Sequence, residues 1–144
     1  MQDKRNTNYS RPENDSGNKK PDKIPINILT KGIKDVEDIK LIKEWGEYLA
    51  TKDNEKVKST QLRKFFGAVK RIQADFDSNK HEIILLNVKL AYAVGKSNEG
   101  NKLKDFFEVI EPLINDVNED KNKFKNFVNV FEAIVAYHRA KGGD

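Results

Sequence analysis

Cysteine is absent from this chain of 144 residues, and methionine and tryptophan occur once each. Without cysteine there is no disulfide framework, no thiolate metal site and no cysteine nucleophile, which agrees with a reducing compartment. Histidine is scarce as well: His81 and His138 are the two copies, and neither has the spacing of a paired metal ligand. The zinc-protease pattern HExxH, the phosphate loop GxxxxGK[ST] and the nucleophile elbow GxSxG are all missing. Ile83–Leu86, like every other apolar run of the chain, is far below the roughly 20 residues that span a bilayer. The polar N-terminus has no apolar stretch of the kind a secretory signal needs. The expectation is a soluble cytoplasmic protein that is not an enzyme, with no cofactor, no metal and no small-molecule substrate.

The charge is distributed unevenly. Residues 1–34 hold eight Lys/Arg and four Asp/Glu, and residues 35–55 hold three and seven. Residues 56–74 hold six cations and no acid, whereas residues 75–144 hold ten cations and twelve acids. A local block of one sign says more about a partner than a net charge of +4 over the whole chain, because it concentrates the field on one surface.

Apolar spacing predicts an all-α fold, a five-helix bundle behind a mostly disordered N-terminal tail. Residues 1–33 form the tail, rich in Asn, Asp, Lys, Ser, Pro and Gly, and residues 34–144 form the bundle. Within the tail, the run Ile24-Pro-Ile-Asn-Ile-Leu29 reads as an extended strap on the bundle or as a docking segment. The first helix, about 35–51, carries Val36, Ile39, Ile42, Trp45 and Leu49 at spacings of three and four. The second begins at Ser59 as N-cap and ends near Ser78-Asn79. The third, about 80–95, is apolar almost all round and so predicts the middle of the bundle, ending with Gly95 in the left-handed cap position. Ala93 leaves room there beside Lys89, an interior cation whose amine reaches for water. The fourth, about 101–118, is expected to kink or split at Pro112. The fifth, about 121–140, aligns Phe124, Phe127, Val128, Phe131, Ile134, Val135 and His138, which makes His138 a satisfied or half-buried core histidine. The acidic residues read as solvated helix faces.

The second helix carries the functional signal. At 3.6 residues per turn, Leu62, Phe65, Phe66, Val69, Ile72 and Phe76 cover an arc of about 120°. Arg63, Lys64, Lys70 and Arg71 lie opposite, with Gly67 and Ala74 as the smallest residues nearby. That face suits a phosphate backbone, bound by charge without reading sequence: long cations grip while small residues form the floor. The free amides at Ser59-Thr60-Gln61 would add an anion site. No aromatic interleaves this basic face, so base stacking is not expected from it. A solvated face, or a structural adaptor whose basic helix meets an acidic protein partner, remains the alternative.

Three stretches carry a resemblance: Ser59-Thr-Gln-Leu-Arg-Lys-Phe-Phe-Gly-Ala-Val-Lys-Arg-Ile72, Val88-Lys-Leu-Ala-Tyr-Ala-Val-Gly-Lys96, and Phe131-Glu-Ala-Ile-Val-Ala-Tyr-His-Arg139 leading into Gly142-Gly143. Together, over about residues 36–144, they resemble the small subunit of type III-A CRISPR effector complexes, the Csm family. The resemblance implies a non-catalytic helical subunit in an antiviral ribonucleoprotein. Its partners would be guide RNA and target RNA, chiefly the target strand, with other effector subunits and copies of itself. The RNA-facing positions it implies are Ser59, Thr60, Gln61, Arg63, Lys64, Lys70, Arg71, Lys89, Lys96 and Arg139, to which the small-residue argument adds Gly67. Lys96 departs from the family pattern, where arginine is more usual. It keeps the charge and loses the planar two-pronged grip on phosphate.

Overall fold

A computed structural model describes residues 19–51, 57–96 and 102–142. The tail reading of residues 1–18 and most of the connection after the first long helix lie outside these residues. Among the described residues there are α-helices, one 3-10 turn and no strand. The helices are α1 (Ile28–Lys31), α2 (Val36–Ala50), α3 (Ser59–Ala74), α4 (Phe76–Asn79), α5 (Leu85–Lys96), α6 (Lys102–Val117) and α7 (Lys121–Ala140), with the 3-10 turn at Lys80–Glu82. The architecture is all-α, but the count among the described residues is seven helices, not five. Both additions are single turns, α1 and α4.

Each addition has a local cause. α3 stops at Asp75, whose backbone leaves the helical region at φ −145° and ψ 76°. The chain then turns Phe76 into the core, where its ring lies 5.6 Å from that of Phe124. At the other end, the run expected as a strap does lie against the bundle, more deeply than a surface strap would. Ile24, Ile28 and Leu29 are buried. The Asn126 amide donates to the Leu29 carbonyl at 2.7 Å, and the Trp45 indole donates to the Asp22 carbonyl at 2.8 Å. α1 forms three residues after Pro25, beyond the reach of its ring, and Gly32 closes it with φ 77°.

The long helices start and stop close to the predicted places except between residues 75 and 84, where α3 ends at Ala74 rather than near Ser78-Asn79 and α5 begins at Leu85 rather than at about 80. Asp35 caps α2 reciprocally with Asp38: each side chain accepts from the other's backbone, at 2.9 and 3.4 Å. Two such satisfied donors stabilise a first turn by about 1 kcal/mol. α6 runs unbroken through Pro112. The carbonyl that Pro112 leaves without an amide belongs to Glu108, which is exposed, so water can satisfy it and the predicted split does not occur. The apolar stripes are buried as expected, except that Ile39, Phe66 and Phe107 are only half-buried and Val36 is exposed at the start of α2.

The central helix is α7, and the expectation that placed the helix at 80–95 in the middle is overturned. α7 packs against α1, α2, α3 and α6, whereas α5 packs chiefly against α3, α6 and the 3-10 turn. Phe131 is the hub of a ring cluster, with centroids of Phe65, Phe106 and Phe66 at 5.0, 5.6 and 5.8 Å. Each such ring buries about 150–250 Å², more than the Ala, Val and Leu of α5 can offer. α5 therefore buries Leu86 and Leu90, while Leu85, Val88 and Tyr92, with Ile84 just before the helix, stay at the surface. Gly95 is helical and carries no left-handed φ, so it is not the predicted cap.

α7 and α2 are in tight contact at Gly46. A Cβ there would lie 2.7 Å from Tyr137 Cβ and 2.8 Å from the Ile134 carbonyl, so only glycine lets the two backbones come this near. His138 is fully buried and hydrogen-bonds through Nε2 to the Val57 carbonyl. The reading of a satisfied core histidine holds, and the bond ties the end of α7 to the approach to α3.

Candidate nucleic-acid interface

The structure distributes the sequence-predicted residues over a surface centred on α3. At the helix start the N-cap is Lys58, whose amide donates to Gln61 Oε1 at 3.2 Å. Ser59 is the first helical residue and is buried, which removes it as N-cap and from direct surface contact. The Gln61 amide, expected to be free, already donates to the Lys58 carbonyl at 3.0 Å. The anion site at this end is correspondingly reduced. Thr60, Arg63 and Lys64 are exposed, and with the half-buried Gln61 they border a shallow depression.

Farther along α3 the four predicted cations do not have equal freedom. Lys70 is exposed, with its amine 5.7 Å from the Phe66 ring centroid. Arg71 is engaged: its two terminal nitrogens donate to the Glu82 carboxylate at 2.7 and 3.1 Å. The hydrogen bonds from Arg71 hold the Glu82 carboxyl below the usual glutamate range, helped by the positive charges of Arg71, His81 and Lys89. Sequence reasoning misses Glu82. It lies eleven positions from Arg71 and across a break in the helix, and no spacing rule joins them.

A groove of about 290 Å³ separates α3 from α5. Gln61, Lys64, Phe65 and Ala68 face it from α3, and Lys89, Tyr92 and Ala93 face it from α5. These positions recur at three and four on each helix, so each set shares one face. The groove thus brings together Gln61, Lys64 and Lys89, three of the predicted residues, and its lining holds two cations and no acid. Gly67 and Ala74, predicted as the small-residue floor, are exposed but outside the lining; an added Cβ at Gly67 would meet nothing within 4 Å. The small residues that keep the groove open are Ala68 and Ala93.

Tyr92 is the second residue that sequence reasoning misses. No aromatic interleaves the basic face of α3 itself, yet packing of α5 beside α3 sets a tyrosine in the same groove as Lys64. Arg139 is exposed in the last turn of α7, one residue beyond the His138 bond that brings this end near α3, but it does not line the groove. Lys96 ends α5, and its side chain lies outside the described residues.

Among the described residues, no group of three or more His, Cys, Asp or Glu is placed to hold a metal ion. No described helix is long and apolar enough to cross a membrane.

No curated protein and no solved structure matches the chain. The model of one family does, described as Csm2 Type III-A and matched over residues 35–144, the whole of the region that contains α2 to α7. The chain belongs to the Csm2 family, the small subunit of type III-A CRISPR effector complexes.

Proposed function

We propose that this subunit binds RNA without catalysing its cleavage, lining the channel that holds guide RNA and target RNA in a cytoplasmic antiviral ribonucleoprotein. Its contacts run chiefly along the target strand and engage the backbone irrespective of sequence. Base pairing with the guide supplies specificity, so charge and shape are all the small subunit has to contribute. The observation that carries this reading is the acid-free groove between α3 and α5, where Gln61, Lys64 and Lys89 converge. Thr60, Arg63 and Lys70 are exposed on the same helix, and the subunit packs with other complex members, including copies of itself.

The test is Arg63→Ala combined with Lys70→Ala in the assembled complex. Target-RNA affinity falls equally for unrelated target sequences matched to their guides. The slope of log K against log salt shrinks by roughly 0.7–0.9 for each phosphate no longer neutralised. Intact assembly with unchanged affinity and slope refutes the reading. Loss of assembly with RNA binding intact points instead to a structural adaptor whose basic helix meets an acidic protein.

A further inference from the structure

Ile84, Leu85 and Val88 are 55%, 48% and 63% exposed, and they share one side of α5 and the turn leading into it. At 3.6 residues per turn, Leu85, Val88, Ala91 and Gly95 fall within an arc of about 120°. All four are at the surface, and none is charged. Contiguous apolar residues on a water-facing helix are what an association site presents, because covering them is favourable. Ala91 and Gly95 also allow a second backbone to come close.

The two flanks of this stripe carry opposite charge. Asn87 and Lys89 lie about 100° to either side of Val88. On the Lys89 side α5 packs against α3, whose Lys64 lines the same groove as Lys89. Residues 56–74, which contain α3, hold six cations and no acid. On the Asn87 side α5 packs against α6, where the Asn87 amide donates to Asn115 at 2.8 Å. Residues 105–120, most of them in α6, hold six acids and no cation. Asn87 near the start of α5 meets Asn115 near the end of α6, so the two helices run antiparallel. Glu111 and Glu108 precede Asn115 by one and two turns on the same side of α6. They therefore stand beside the later turns of the stripe, across it from Lys89.

A surface ordered basic, apolar, acidic is complementary to itself. When two copies meet face to face about a twofold axis parallel to α5, the α3 side of each lies over the α6 side of the other. A twofold axis across α5 would set cation on cation and acid on acid. Isologous pairing forms every contact twice, and charged flanks choose partner and direction as they do in paired helices. We infer that the free chain pairs with a second copy of itself through the exposed stripe of α5, the two helices running parallel. Lys64 and Lys89 of each copy then face Glu108 and Glu111 of the other. This pairing goes beyond the RNA-binding reading and does not depend on it. One consequence does rest on that reading: phosphate and the second copy compete for Lys64 and Lys89. Arg63 and Lys70, about 100–120° from Lys64 around α3, stay open to RNA.

The experiment is sedimentation of the purified full chain over a concentration series. Dimers form at low salt. Val88→Glu, at a position that faces water in the single chain, weakens pairing about tenfold or more with helicity unchanged. Glu108→Lys with Glu111→Lys weakens it as well, as does Lys64→Glu with Lys89→Glu, and all four changes together restore it. The chain has no cysteine, so single substitutions report direction. In a parallel pair each stripe residue meets its own copy, and Val88→Cys and Ala91→Cys both form a disulfide between copies under oxidation. In an antiparallel pair at most one of them does, and that outcome overturns the inference. A chain that stays monomeric at every concentration overturns it too, as does a dimer indifferent to Val88→Glu, which another face must hold. None of these outcomes measures RNA, so the backbone reading is judged separately by Arg63→Ala with Lys70→Ala.

Discussion

Arg71 and Glu82 form a two-pronged ion pair, at 2.7 and 3.1 Å, that fastens α3 to the 3-10 turn leading into α5. The Arg71 side chain is 63% exposed and that of Glu82 21%, so the pair sits at the rim of the interface, where an RNA phosphate would compete with the carboxylate. A guanidinium serves either partner with the same planar geometry. Arg71 is thus held in position in the free chain by the acid that phosphate would displace.

Glu82→Gln tests this competition. The substitution keeps the shape and removes the charge, so Arg71 becomes easier to transfer to phosphate. Target-RNA affinity of the assembled complex is expected to rise, with the salt slope steeper by roughly 0.7–0.9, the increment for one phosphate. Affinity titrations at several salt concentrations measure both. An unchanged slope would remove Arg71 from the RNA contacts and leave it as a clamp alone.

The same pair sets an acid limit on the local structure. The Glu82 carboxyl is held below its ordinary range by hydrogen bonds from Arg71, so its contribution is present in full above that ordinary range. It is lost as pH falls through the depressed value, where the carboxylate protonates. Hydrogen-exchange protection of the Ile83 amide, which donates to the Lys80 carbonyl across the turn, is expected to fall at acid pH. In Glu82→Gln it should be low at all pH values. Protection in the native sequence that stays constant down to strongly acid pH would show that the pair does not hold the turn.

Two helical glycines are expected to respond with opposite sign to alanine. At Gly67 the added methyl meets nothing within 4 Å, so the helix gains up to about 1 kcal/mol from propensity alone. At Gly46 it would collide with Tyr137 and the Ile134 carbonyl, forcing α2 away from α7 at a cost of about 1–3 kcal/mol. Urea unfolding of the two variants measures the contrast. By the same reasoning Gly67→Glu folds, and its carboxylate on the basic face is expected to reduce RNA binding in the complex.

Lys102 is buried, and its amine donates to the Tyr48 and Thr51 carbonyls at 2.8 Å each, closing the end of α2. It also lies 4.6 Å from the Tyr48 ring centroid, and the Tyr48 hydroxyl donates to Asp105 at 2.8 Å. Lys102→Met fills the volume and leaves the carbonyls without that donor. A decrease in stability of about 1–3 kcal/mol is expected, read as a lowered urea midpoint. A neutral outcome would mean that water reaches the carbonyls as readily as the amine does.

Much of this was legible from local pattern. The spacing of Phe124, Phe127, Phe131 and Ile134 marks the buried stripe of α7, and the acid-free block at 56–74 marks α3 as the cationic surface. The sequence by itself determined where the five longer helices lie, which stripe of each is apolar and where positive charge concentrates. Those properties follow from periodicity and formal charge within one segment.

Only the tertiary structure decided that the aromatic α7, and not the evenly apolar α5, takes the centre, because helices compete for burial and rings win more area per residue. It likewise decided that Arg71 pairs with Glu82 and that Tyr92 and Lys89 face Lys64 across a slot kept open by two alanines. Such relationships join residues on different helices. Periodicity describes each helix about its own axis and carries no information about which neighbour will face it.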